Sequence, residues 1–185
     1  MSKDRLTKAD LEKLLALLPC QYSYVETGVA DGDQLVIANE VFRRVLGIEL
    51  SEHYCKVASE ISGCLVVQGK SEEMLPRLYF PGPTVFYLDA HYCQLDPPIE
   101  KSHFPLWEEL NFIASRDNKH DIIIVDDVHT FGKVRPELKY DDETQEWANV
   151  TENSLICWMN HNRDQDELWT GEVIKDCFVM RRTDA

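Results

Sequence analysis

The sequence predicts an α/β sandwich on a mostly parallel sheet. Short apolar runs of strand length alternate along the chain with stretches of helical periodicity. The runs are apolar throughout rather than at every second position, as in strands buried on both faces. Five such strand-then-helix units precede a terminal strand pair, the order that right-handed crossovers wind into one sheet.

Taken in order, Leu11, Leu14, Leu15 and Leu18 fall at helical spacing, Thr7 with Asp10 forms a capping pair, and Pro19 ends the helix. Tyr22 to Val25 is a strand running into Glu26-Thr27-Gly28, and a helix follows from Gly32 to Phe42. Val45 to Glu49 is the second strand, and Ser51 caps a helix with Tyr54, Ala58 and Ile61 on one face. Cys64 to Gln68 is a strand, Ser71 to Leu78 a short helix, and Pro81-Gly82-Pro83 a turn. Thr84 to Leu88 is a strand ending in Asp89. Pro105 opens a helix with Leu106, Leu110 and Ile113 on one face. Asp121 to Val125 is the most apolar strand and ends in Asp126-Asp127. Thr151 to Asn160 is helical, and Leu168 to Arg181 forms two strands around Lys175-Asp176.

The chain has 185 residues, 44% of them hydrophobic, which suits a single domain over 1–185 with an N-terminal helix in 1–19 and a core in 20–182. Its 19 basic and 33 acidic residues give a net charge of −14. That balance disfavours phosphate backbones and anionic lipid, so neither nucleic acid nor membrane is expected and a small molecule is the expected partner. No stretch is long and apolar enough to span a bilayer, and the opening residues do not read as a signal peptide. The cysteines (Cys20, Cys55, Cys64, Cys93, Cys157, Cys177) are scattered without a C-x-x-C pair. They read as reduced packing residues of a cytoplasmic protein.

In open α/β sheets ligands bind outside the carboxyl ends of the strands. Those ends read Glu26-Thr27-Gly28, Glu49, Gln68-Gly69-Lys70, Asp89-Ala90-His91 and Asp126-Asp127. Acids close four of them. Helix capping explains one or two, but not all four. In the first turn Gly28 permits a tight bend and a close ligand approach, and Gly32 lets the helix start close by. The spacing is not G-x-G-x-x-G, and Glu26, Asp31 and Asp33 would repel a pyrophosphate. They suit a ligand with a cationic end. Glu49, 21 residues after Gly28, is placed either to take two ribose hydroxyls or to cap the next helix beside Ser51.

The runs Glu26-Thr27-Gly28-Val29-Ala30-Asp31-Gly32-Asp33, Gly47-Ile48-Glu49-Leu50, Val67-Gln68-Gly69-Lys70-Ser71, Phe86-Tyr87-Leu88-Asp89-Ala90-His91-Tyr92 and Ile124-Val125-Asp126-Asp127 resemble class I S-adenosylmethionine-dependent methyltransferases. The likeness is strongest to small bacterial and phage members with an E-T-G first turn and an L-D-A-H-Y fourth strand end. It covers residues 20 to 182. It implies a Rossmann-like three-layer sandwich whose seven-stranded sheet has an antiparallel last strand. It also implies a cofactor site. Glu26, Thr27, Gly28 and Gly32 would face the methionine part, with Glu26 near its ammonium, and Glu49 would bind the ribose. Gly69, Lys70 and Ser71 would lie beside the adenine, and Asp89 at the sulfonium end. Lys70 departs from the pattern, since many relatives carry an acid there.

Methyl transfer needs alignment, desolvation and a route for the acceptor's proton. His91 is the best-placed base, followed by His129. Asp89, Asp126 and Asp127 suit a hard cation such as Mg²⁺, and catechol-type O-methyltransferases show a similar layout, with Asp-Asn where this chain has Asp126-Asp127. Trp107, Phe112, Trp158 and Trp169 read as core or interface rather than as a cofactor box. The segment His91 to His103 with Pro97-Pro98 reads as a flap or an ordinary loop, and Asp141-Asp142-Glu143 as a solvated loop. Lys133, Arg135 and Lys139 would meet an anionic substrate or balance nearby acids. The expected function is methylation of a small-molecule or sugar-like acceptor, at oxygen. The acceptor would be contacted by strand-end loops, the N-terminal helix or a second subunit of a homodimer. Two alternatives stand beside it. One is a non-catalytic module of the same fold. The other is a metal-dependent hydrolase, since Asp89-Ala90-His91 matches part of the D-A-H-x-D motif of ureohydrolases but has Cys93 where that motif needs an acid.

Overall fold

The computed structural model describes residues 5–16, 22–91, 104–116, 118–133, 147–161 and 168–183. Leu18, Pro19, Cys20, Tyr92, Cys93, Pro97, Pro98, His103, Arg135, Lys139, Asp141, Asp142 and Glu143 lie outside the described residues.

The elements alternate as the periodicity predicts. They are α1 (Lys8–Ala16), β1 (Ser23–Thr27), α2 (Asp33–Asn39), β2 (Arg44–Glu49), α3 (Glu52–Ser62), β3 (Leu65–Gln68), α4 (Ser71–Met74) and β4 (Thr84–Leu88). They continue as α5 (Leu106–Ser115), β5 (Ile122–Val125), α6 (Glu152–His161), β6 (Trp169–Ile174) and β7 (Cys177–Arg182). The strands form one seven-stranded sheet in the order β3-β2-β1-β4-β5-β7-β6. Strands β1 to β5 are parallel, and β7 runs antiparallel to both β5 and β6. The chain winds to one side of β1 through β2 and β3, then returns to β4 on the other side. The topological switch point therefore lies between β1 and β4.

Alternating side chains of the central strands feed two cores. On one face Val25, Phe86, Leu88, Ile123 and Val125 meet Leu106, Leu110 and Ile113 of α5 and Leu155 and Met159 of α6. On the other, Tyr24, Val85, Tyr87 and Ile124 meet Leu6 and Leu11 of the N-terminal segment, Leu35 and Ala38 of α2, and Ala58 of α3. Helices on both faces cover a sheet whose central strands are buried on both sides, which is why those strands read as continuous apolar runs. Trp169 is buried, and Trp107, Phe112 and Trp158 pack partly buried against the first core, as core residues should.

Local differences have simple causes. The helix expected from Ser71 to Leu78 is a single α-turn followed by a 3₁₀ turn at Leu75–Arg77. Pro76 has no N–H and its ring obstructs the preceding turn. The helix expected from Gly32 starts at Asp33, because Gly32 itself is left-handed at φ +86°, and a turn at Glu40 folds Phe42 into the core. Asp121 lies just before β5. Its buried carboxylate accepts the Thr84 N–H at 2.9 Å and Arg116 Nε at 2.8 Å, which fixes the start of β4 against β5. Arg116 in turn lies over the rings of Phe80 and Phe86. The four described cysteines are free thiols. No helix among the described residues is long and apolar enough to cross a membrane.

Candidate active site

The first strand-end turn is built tightly. Gly28 sits at φ +71°, and a Cβ there would overlap the Asp89 carbonyl and approach Ala90 Cα to 2.7 Å. Glycine is needed here so that the β1 and β4 end loops can touch. The close approach expected of a ligand is made by the chain's own backbone. Gly32 likewise packs on α3, where a Cβ would meet Ala58 Cα at 2.9 Å. Glu49 ties the two turns together: one oxygen accepts the N–H of Ala30, itself at φ +48°, at 2.9 Å, and the other accepts the Ser51 N–H at 2.8 Å. Ser51 caps α3 as expected, accepting from the Tyr54 N–H.

Glu26 points to the side of the sheet that carries Tyr24, whose hydroxyl donates to it at 3.1 Å, and it is buried. Burial, and then the charge of Asp89, push its carboxyl well above the ordinary value. Asp89 is raised as well, by the packing around it and by Asp126 and Asp127, and His91 only partly offsets this. A quarter of its side chain nevertheless remains open. This pair of carboxyls at the switch point has too little positive charge around it.

His91 lies between two acids. Its Nδ1 is 3.2 Å from Asp89 and its Nε2 is 2.9 Å from Asp127. Asp127 reaches it from a left-handed backbone at φ +60°, a conformation that Asp tolerates better than most residues. Burial works against the charged ring, but the hydrogen bond to Asp127 and the two carboxylates prevail and raise His91 to about 9. At neutral pH it is therefore an imidazolium. One side of the ring meets Trp147 edge-on at 5.5 Å, and Trp147 packs in turn on Phe104 and Phe131.

The remaining predicted residues divide. Asp126 turns away from the cluster. It accepts from the Tyr87 hydroxyl at 2.7 Å and from Cys177 Sγ at 3.2 Å. The expected metal set Asp89, Asp126 and Asp127 is thus not brought together. The groups that do converge are Asp89–His91–Asp127 and Asp127–His129–Asp176. Each group offers two carboxylates and one imidazole, whereas a hard cation such as Mg²⁺ prefers all-oxygen donors. His129 is half-exposed and clamped by Asp176, which accepts both its backbone N–H and a bond from its ring. Its ring lies 3.7 Å from Asp127 of the cluster. Lys70 is exposed at the start of α4, and Lys133 is exposed after β5.

Among the described residues, the buried Thr27 Oγ1, Ser71 Oγ and Glu109 Oε1 near the β1 and β3 ends make no hydrogen bond. Burial raises Glu109 to about 7, against the pull of the nearby Ser71 and Thr27 hydroxyls. Glu109 was not singled out from the sequence, although an acid between Leu106 and Leu110 on an apolar helix face is a readable signal. Nor was the Tyr87–Asp126–Cys177 network, whose members are far apart in the chain. Tyr87 and Cys177 have the appearance of ordinary strand apolars.

No family model matches the chain, and no curated protein matches its sequence. Solved structures do match. Precorrin-6y C5,15-methyltransferase of Geobacter metallireducens aligns with a TM-score of 0.57 at 10% identity, over 98% of this chain and 91% of that one. A Streptococcus mutans protein described as a methyltransferase, solved in complex with SAH, gives 0.56 at 11% identity over 95% and 97%. The 23S rRNA methyltransferase ErmE gives 0.55 at 14% identity over 97% and 68%. The chain has the class I S-adenosylmethionine-dependent methyltransferase fold.

Proposed function

We propose that the protein is an S-adenosylmethionine-dependent methyltransferase acting on a small, hydroxyl-bearing acceptor at oxygen. The observation that carries this reading is the Asp89–His91–Asp127 cluster, which stands at the switch point beside the Gly28 turn and the buried Glu26. The residues fit the cofactor. Two under-compensated carboxyls, Glu26 and Asp89, suit a ligand carrying an ammonium and a sulfonium. The orphaned hydroxyls of Thr27 and Ser71 offer polar partners near the strand ends expected to hold it. Glu49 would hold the ribose, with Gly69, Lys70 and Ser71 beside the adenine.

The bound cofactor supplies an activated methyl group. The chain's part is to orient the acceptor and take its proton. With His91 held as an imidazolium, the base is a carboxylate. Asp89 is the choice, because its raised affinity for a proton brings it toward the working pH. His91 fixes Asp89 and Asp127 and balances their charge. The cofactor would give up its methyl group and keep the carbon–sulfur bonding pair as a neutral thioether, and Asp89 would take the proton released by the acceptor hydroxyl. No metal is needed for this balance. The charge of −14 and the exposed Asp31 and Asp33 at the first turn favour an uncharged, sugar-like acceptor over RNA. A second subunit would supply further acceptor contacts.

A non-catalytic module is the second reading, favoured by the Trp147–Phe104–Phe131 cluster against His91. Calorimetric titration with S-adenosylhomocysteine, with and without Mg²⁺ and with NAD⁺ as control, tests the cofactor site. Saturable binding lost in Glu26→Ala and Glu49→Ala is expected, and no binding by folded protein would sink the proposal. Transfer of a labelled methyl group to a panel of hydroxylated acceptors then separates enzyme from module. Asp89→Asn should cut turnover by about a hundredfold or more.

A further inference from the structure

We propose that Arg5 binds the carboxylate at the amino-acid end of the cofactor, so that the N-terminal segment forms part of the cofactor site. The inference rests on the cofactor reading above. The backbone at this position is fixed. Leu6 is fully buried among Leu11, Tyr24 and Tyr87, and Lys175 in the β6–β7 turn donates to the Arg5 carbonyl at 2.8 Å while pairing with Asp10 at 2.8 Å. The side chain crosses to the first strand-end turn, where Nη1 lies 3.2 Å from Asp33 and 3.7 Å from Asp31. No contact among the described residues uses Nε or Nη2. The guanidinium fork therefore keeps donors for a planar carboxylate.

The charges around this position explain why a cation is needed. The cofactor's amino-acid end is a zwitterion. Its ammonium suits Glu26, but its carboxylate must then sit among Glu26, Asp31, Asp33 and Asp89, all acidic. His91 and Arg5 are positive charges that act on Asp89, and Arg5 also acts on Glu26. His91 is already taken up by Asp89 and Asp127. Arg5 is a third exposed, and its acidic partners are about half-exposed, so those ion pairs hold it weakly. A ligand carboxylate can draw the fork inward while the backbone stays pinned.

The test is a calorimetric cycle on the full chain. Wild type and Arg5→Gln are each titrated with S-adenosylhomocysteine and with its decarboxylated analogue, the 3-aminopropyl thioether of adenosine, which keeps the ammonium. Wild type should prefer the carboxylate-bearing ligand by roughly tenfold to a hundredfold, a typical gain for a charge-assisted pair. Arg5→Gln should lose that preference while binding the analogue as wild type does, and Arg5→Lys should keep part of it. Thermal melts establish that the variants are folded. If Arg5→Gln keeps the preference, or weakens both ligands equally, the inference is overturned and the cofactor reading stands. If wild type binds neither ligand, the cofactor reading itself fails.

Discussion

Raising the pH from 6.5 to beyond 9 should remove the contribution that His91 makes to stability, and the size of the loss follows from its surroundings. Unfolded, the imidazole titrates near 6.5. Folded between Asp89 and Asp127 it holds its proton to about 9. The folded state therefore binds one more proton than the unfolded state across that window. A group raised in this way contributes fully below the unfolded value and loses its contribution as pH rises through the folded one. The step from 6.5 to about 9 corresponds to roughly 3 kcal/mol at about 1.4 kcal/mol per pH unit. Asp89, also raised, acts in the same direction and starts the fall at lower pH. Urea unfolding at a series of pH values reads the effect. At about 2–3 kcal/mol per molar of urea the midpoint should drop by about 1 M between pH 6.5 and 9.5. In His91→Gln the two carboxylates face each other without a cation, so the fall should move to lower pH and the 7–9 segment should flatten. The His91 ring resonance, assigned with the same variant, should titrate near 9. A midpoint that stays flat in wild type, with a ring titrating near 6.5, would show a neutral imidazole and return the base role to His91.

Other consequences concern the scaffold. Asp121→Ala strands the Arg116 guanidinium and the Thr84 N–H in a buried corner and should cost about 3–5 kcal/mol, read as a melting-temperature drop of roughly 6–20 °C. An unchanged melt would mean that the corner is wet. Glu109→Gln should stabilise the protein at pH 8 and do little at pH 5. The buried carboxyl, raised to about 7, opposes folding increasingly as pH climbs above its unfolded value, by up to roughly 3 kcal/mol. A loss of stability at pH 8 would show that the carboxylate has a partner there.

The layered fold was legible because its signals are local. Uniformly apolar runs such as Ile122–Val125 mark strands covered on both faces, Thr7 with Asp10 and Ser51 mark helix starts, and Lys175-Asp176 marks the last turn. The strand-end positions of Glu26, Glu49, Asp89 and Asp127 followed from those boundaries. Their protonation and partners did not, because these depend on through-space distances that the chain order does not encode. Asp126 and Asp127 are neighbours in sequence, yet one turns to Tyr87 and Cys177 and the other, through its left-handed backbone, to His91.

The same division runs through the whole molecule. Residue type and periodicity by themselves determined the order of elements, the parallel sheet and the edge at which a ligand would bind, since burial pattern and turn chemistry act over a few residues. Only the tertiary structure decided that Gly28 makes room for the chain's own backbone, that His91 is charged, that Glu109 is buried near Thr27 and Ser71, and that Arg5 reaches the first turn. Each of these depends on segments brought together from distant parts of the chain, and in those close, partly dry contacts charge and hydrogen bonding take values that no single segment sets.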